Sequence, residues 1–202
     1  PEVVAAAARG EHPERLGSCG TATLSVRVEL MDDDGNILPT GEVGEIVARG
    51  GIVGGGYFEL PEASAEAWEH GWHHTGDVGR RDEHGFYYIV DRKKDMIVSG
   101  GFNVFPVEVE AAIMELPEVI EAAVIGVPDE KWGEAVTALV VLLPGQSLDA
   151  EAIRAHCKAQ LGSVKAPKTV LFRSELPRTP VGKPDKKAMR AEFWSGAGRN
   201  VN

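Results

Sequence analysis

The chain has 202 residues, a formal net charge of -10 and 43% hydrophobic residues. That length suits one large domain or two small ones, and the acidic balance disfavours general nucleic-acid binding. No apolar run approaches membrane-spanning length, and the opening "PEVVAAAARGEHPERLG" lacks the basic start and apolar core of a secretory signal.

The first residue is proline rather than methionine, which reads like a fragment or a processed chain. Residues 24 to 30, "LSVRVEL", alternate apolar and polar side chains and predict a strand. "MDDDGNILPTGEVG" supplies turn residues, with Asp34-Gly35 as the reversal, and "GEIVARG" predicts a second strand. "GIVGGGYF" is glycine-rich but lacks a strand-to-helix phosphate fingerprint, so tight turns beside a sheet are the better reading. "LPEASAEAWEHG" predicts a helix that starts near Pro61 and ends at Gly71. "DEHGFYYIVDR" predicts a turn and then a strand. Residues 1–93 thus read as mostly β.

The pattern changes after Arg92-Lys93-Lys94. "MIVSGGFNV" reads as a strand running into a glycine turn, and "PVEVEAAIMELPEV" as a helix opened by Pro106. Val109, Ile113 and Leu116 fall on one apolar face of it. "IEAAVIGVPD" and "EAVTALVVLLPG" read as strands, and "LDAEAIRAHCKAQLG" as a helix capped by Asp149. "KTVLFRSEL" is extended and "KPDKKAMRAEFW" is a terminal helix. This β-α-β-β-α-β order predicts an α+β lobe over 94–202, with a short sheet flanked by helices and a boundary near Lys94.

Two cysteines, Cys19 and Cys157, do not make a disulfide framework and fit a reduced, cytosolic setting. The adjacent histidines of "WHHTGD" lack regular ligand spacing, so no metal site is expected there. The four tryptophans share no spacing and read as packing residues. Residues 165–190 carry eight Lys or Arg against two acids, which fits either a solvated basic surface or a compact anionic ligand.

Four segments hold the candidate chemistry. Asp77 in "HTGDVG", held in a turn, either caps that turn or accepts two sugar-hydroxyl hydrogen bonds. Arg92 in "DRKKD" can reach sugar or phosphate oxygens, and Lys94 sits at the boundary, where a few loop residues absorb a domain rotation. Gly100 and Gly101 in "SGGFNVFP" either bring backbone close to a narrow ligand channel or make a plain strand-to-helix turn. In "PRTPVGKPDKK", Gly182 frees a loop that can deliver Lys183 as a three-donor point charge, while Lys186 and Lys187 stay on the surface of the following helix.

Taken with "GEVGEIVARG", "VIGVPDEKWGEAVTALVV" and the run from Gly71 to Glu110, these segments resemble the last third of the adenylate-forming enzymes, especially fatty acid-CoA ligases. The resemblance covers nearly the whole chain. It implies an ATP- and magnesium-dependent enzyme that forms an acyl-adenylate, passes the acyl group to CoA and releases AMP. It implies that Asp77 binds the ribose hydroxyls, Arg92 supports the nucleotide, Lys94 is the hinge and Lys183 is the catalytic lysine of adenylation. Gly100 and Gly101 would approach the CoA channel, bordered by Ser99 and Phe102. The upstream phosphate loop and acyl pocket of such enzymes have no match here. The resemblance therefore implies the end of a large lobe plus a complete small lobe, inactive alone, whose partner is the missing N-terminal part of the same enzyme. A medium- or long-chain fatty acid is the expected substrate. An aryl or other small carboxylate, or a noncatalytic binding or assembly role, is the alternative. A cytoplasmic location is expected, with peripheral membrane contact as an option.

Overall fold

The computed structural model describes residues 4–5, 15 and 17–194. They group into two units, one ending at Lys93 and the other starting at Lys94. The architecture is α+β, with a mostly β first unit and helices concentrated in the second.

In the first unit, β1 (Val4–Ala5) pairs with β2 (Thr21–Ala22). A separate five-stranded antiparallel sheet is built from β3 (Val26–Met31), β4 (Val43–Gly50), β5 (Trp68–Glu69), β6 (Trp72–Arg81) and β7 (Tyr87–Arg92). Its order is β3-β4-β6-β5, with β7 also on β6. Alternation along β3 buries Val26, Val28 and Leu30 against Ile46, Ala48 and Tyr87. Tyr87 is buried, and its hydroxyl donates to the Val28 carbonyl at 2.6 Å, which satisfies the one polar atom it brings inside. The opposite face buries Met31, Val47 and Trp72.

The stretch expected to be helical up to Gly71 divides. Helix α1 (Pro61–Ala67) stops early, and β5 turns back onto β6 through His70 and Gly71. Both turn residues have positive φ, 52° and 76°, as a type I′ hairpin turn requires. Trp68 leaves the helix because its indole N–H donates to the Gly54 carbonyl and its ring meets His73 edge-on. A tertiary contact thereby overrides helical periodicity.

In the second unit, β8 (Ile97–Ser99) and β9 (Phe102–Val104) form a hairpin, followed by α2 (Pro106–Met114), β10 (Val119–Asp129), β11 (Gly133–Leu142), α3 (Ala150–Lys165), β12 (Thr169–Phe172) and α4 (Lys186–Trp194). Strand order is β10-β11-β8-β9, and β12 lies parallel on β11 after the α3 crossover. Val124, Val136, Ala138 and Val140 face Val109, Ile113, Ile153 and Cys157 of α2 and α3. Their neighbours Ala123, Ile125, Leu139 and Val141 face Leu176 and Met189 on the other side. Burial on both faces explains why β11 reads as a near-continuous apolar run. Asp149 caps α3 by accepting from the Glu151 amide, and Gly162, at φ 81°, kinks the helix where the sequence placed its end.

The hairpin at 68–73 gives a direct test. Gly71→Ala places a side chain at positive φ and is expected to lower stability by about 1–2 kcal/mol. Gly51→Ala, at a glycine with ordinary φ and nothing within 4 Å of a new Cβ, is expected to stay within about 0.5 kcal/mol of the parent. Denaturant titration of both variants reads the difference.

Candidate functional site

Asp77 lies within β6 rather than in a free turn. Three residues of β6, Thr75, Gly76 and Asp77, oppose the single residue Ile46 of β4, because the register jumps from Glu45↔Val78 to Val47↔His74. The extra residues form a bulge, which re-aims a side chain out of the ladder. Thr75 Oγ1 closes it by donating to the Ile46 carbonyl at 2.7 Å and accepting from the Asp77 amide at 3.1 Å. Gly76 sits at φ 72°, a backbone shape that glycine adopts without strain. On its other side Asp77 pairs with Arg92 of β7, and Arg92 Nε reaches Asp77 Oδ1 at 2.8 Å. The structure therefore brings Asp77 and Arg92 together. Oδ2 accepts no hydrogen bond from any described residue, so one oxygen of the carboxylate keeps its acceptor capacity.

Below the bulge is a residue that sequence reasoning passed over. Glu45 is 6% exposed. Its Oε1 accepts from the Gly76 amide at 3.0 Å, and its Oε2 accepts from His74 Nδ1 at 2.8 Å and from Lys93 Nζ at 3.0 Å. Lys93 also reaches Asp33 at 2.8 Å. Burial pushes the Glu45 carboxyl upward, but His74, Lys93 and the Gly76 amide outweigh it and hold the group below its ordinary value. The available signal was a glutamate at an inward position of the apolar strand "GEIVARG".

In the second unit, Lys183 is exposed and lies on a tied turn, not on a loose loop. The Thr179 amide donates to the Lys183 carbonyl at 2.8 Å, and the Gly182 amide to the Thr179 carbonyl at 2.8 Å. Arg178 donates to the Gly182 carbonyl and clamps both oxygens of Glu121 at 2.9 and 2.8 Å. Gly182, at φ 82°, makes the turn geometry possible rather than making it floppy. The Lys183 ammonium has no ion-pair partner among the described residues, unlike Arg178 and Lys186 on either side of it. Lys187 is exposed, as the sequence suggested, but Lys186 is not: its Nζ meets Glu110 Oε1 at 2.7 Å, and both side chains are largely buried. The basic run thus contains a structural tie between α4 and α2 as well as a free cation.

Gly100 and Gly101, at φ 59° and 83°, form the two-residue turn of the β8–β9 hairpin, so the turn joins strand to strand. A Cβ on Gly100 would come within 2.9 Å of the Trp132 ring, whereas one on Gly101 would meet nothing within 4 Å. Gly100 is therefore used for close packing, while Gly101 faces open space. The Gly100 amide donates to the Trp132 carbonyl at 2.8 Å. Phe102 is 61% exposed, but Ser99 is buried at 2% and its hydroxyl has no hydrogen-bond partner among the described residues. Trp132 is half-buried and lies under Lys131 and Lys168, with ammonium-to-centroid distances of 4.6 and 5.3 Å. Lys94 is exposed in the 3-10 turn Lys93–Asp95, and the next residue, Asp95, is secured by Arg190 at 2.9 Å.

The lowered Glu45 value has a definite pH sign. A carboxylate whose folded value is depressed contributes stability above its unfolded value, about 4.3, and loses that contribution as pH falls through the lower folded value. Glu45→Gln should therefore be least stable relative to the parent near neutrality, and the gap should shrink as pH falls below about 4. Denaturant titrations between pH 7 and pH 3 check this.

The sequence matches the AMP-binding enzyme family over residues 2–58 and the AMP-binding enzyme C-terminal domain over residues 108–183. Medium/long-chain-fatty-acid–CoA ligase FadD8 of Mycobacterium tuberculosis is 53% identical, with an alignment that covers 100% of this chain and 37% of the ligase. Feruloyl-CoA synthase of Amycolatopsis is 43% identical over 92% of this chain and 38% of the synthase. The crystal structure of ATP-bound MatB from Rhodopseudomonas palustris matches with a TM-score of 0.80 at 38% identity, over 91% of this chain and 37% of that one. The chain spans a little over a third of the length of these relatives. The two family matches, with 53% identity across the whole chain, show that this chain belongs to the AMP-binding enzyme family.

Proposed function

We propose that this chain is part of a longer, AMP-forming fatty acid-CoA ligase, and that its own residues serve both half-reactions. The observation that carries the reading is the Asp77–Arg92 pair on the β6 bulge, with one carboxylate oxygen left open. In the first half-reaction a carboxylate attacks the α-phosphate of ATP, releasing pyrophosphate and leaving an acyl-adenylate. Asp77 accepts hydrogen bonds from the ribose hydroxyls, and Arg92 steadies Asp77 and the nucleotide. Lys183 stabilises negative charge that grows between the acyl carboxylate and the phosphate. In the second half-reaction the CoA thiol attacks the acyl carbon, a thioester forms and AMP leaves. The open side of Gly101, with Phe102 beside it, borders the path of the thiol arm. Ser99 supports that turn from inside rather than lining it. Lys94 serves as the hinge at the junction of the two units.

ATP would arrive with Mg2+, which offsets phosphate charge when bound. Among the described residues no group of three or more His, Cys, Asp or Glu is placed to hold a metal ion. Mg2+ is ordinarily held by one or two carboxylates together with the substrate phosphates, so it would come with the nucleotide rather than sit in a cage of these residues.

A medium- or long-chain fatty acid is favoured by the 53% identity to the M. tuberculosis ligase, against 43% to feruloyl-CoA synthase. The cytoplasmic setting belongs to the same proposal and is supported by two free cysteines. No helix of the described residues is long and apolar enough to cross a membrane.

AMP release by the intact enzyme, measured against short, aromatic and long-chain acids with and without CoA, tests the reading. Release that needs both a long-chain acid and CoA is expected. Turnover confined to aromatic or short acids would replace the substrate class, and no turnover with any acid would overturn the enzymatic reading.

A further inference from the structure

The contacts made by Glu45 go beyond what packing requires. A buried ion pair is weak evidence for stability, because desolvation of both charges offsets most of their attraction. Glu45 nevertheless gathers three donors from three places: the Gly76 amide in the bulge, the His74 ring just before it and the Lys93 ammonium at the end of the unit. Since a carboxylate can only accept, His74 has a proton on Nδ1, and its Nε2 faces a second acceptor, the Glu69 carbonyl, at 3.3 Å. The two oxygens divide the work, with Oε1 on the bulge and Oε2 on His74 and Lys93.

We propose that Glu45 is a positioning residue that sets two elements at once: the bulge that displays Asp77, and Lys93, the residue immediately before Lys94. The inference rests on the nucleotide-binding reading of Asp77. Glu45 touches no substrate in this account. It acts by fixing the Gly76 peptide, which is covalently joined to Asp77, and by holding the chain still on the near side of the junction. Asp33 is the other anion on Lys93, but it is 78% exposed and shared with solvent, so it cannot locate the ammonium as a buried carboxylate does. The shifts agree with this geometry. Although burial alone would lower it, the Lys93 ammonium is held above its ordinary value by its bonds to Asp33 and Glu45.

Two variants in the intact enzyme separate positioning from bulk stability. Glu45→Ala leaves the Gly76 amide without its acceptor, and KM for ATP should rise about tenfold, the effect of losing roughly one charge-assisted hydrogen bond. Glu45→Gln gives that amide an acceptor again, so KM for ATP should return to within about threefold of the parent. Hydrogen exchange of the peptide spanning residues 74–78 should be fast in the alanine variant and slow in the parent and the glutamine variant. A purely structural role would lower the yield of active enzyme and kcat while leaving KM for ATP unchanged. That result, or unchanged exchange at 74–78 in the alanine variant, would overturn the proposal. If the unsubstituted enzyme forms no acyl-adenylate, the nucleotide reading fails by itself. The exchange pattern then decides separately whether Glu45 holds the bulge.

Discussion

A register jump of two residues organises the first unit. Where β4 spends one residue, Ile46, β6 spends three, and the surplus cannot stay in the ladder. Backbone donors released by such a jump must find other acceptors or cost about 1–3 kcal/mol each when buried. Thr75 Oγ1 and Glu45 Oε1 take the Asp77 and Gly76 amides. The carboxylate of Asp77 then leaves the sheet at a fixed place, opposite Arg92. The chemistry proposed for this unit depends on that geometry more than on the identity of any single exposed residue.

The second unit solves a different problem. Its sheet is covered on both faces, by α2 and α3 on one side and α4 on the other, so β10 and β11 have little polar surface to offer a ligand. The available polar and backbone groups lie at its turns: the hairpin at 100–101 and the tied turn that carries Lys183. Arg178 and Glu121 secure the latter to β10, which gives the lysine a fixed base with a free tip. Lys186, three residues on, is spent on Glu110, whose other role is to accept from the Val124 amide. Two lysines of one basic run thus differ: Lys186 has a largely buried carboxylate partner, and Lys183 has none among the described residues.

Much of this was legible in the residues. Period-two alternation in "LSVRVEL" and the apolar run of β11 point to strands because burial on one face or two leaves those marks. Pro106 and Asp149 mark helix starts through their own backbone chemistry. What could not be read is set by tertiary contacts. "AWEHGW" has helical composition, yet Trp68 is drawn to Gly54 and His73, and the segment becomes a hairpin. The bulge at 75–77 depends on how β4 pairs with β6, so "HTGDVG" looks like an ordinary turn. Glu45 is invisible as a clamp until His74, Lys93 and Gly76 are folded around it. Ser99 and Phe102 look equivalent beside the glycine pair, and they face each other across the hairpin, yet Ser99 is buried and Phe102 exposed.

We propose that the Lys183 turn serves adenylate formation, whereas the open hairpin serves thioester formation. The two half-reactions of the intact enzyme, measured separately for Lys183→Ala, test it most directly. Pyrophosphate release from ATP and fatty acid should fall by about 10²–10³-fold, the scale of losing one electrostatic contact to a transition state. Thioester formation from preformed acyl-adenylate and CoA should stay within about threefold of the parent. An equal loss in both half-reactions, or no loss in the first, would contradict the account.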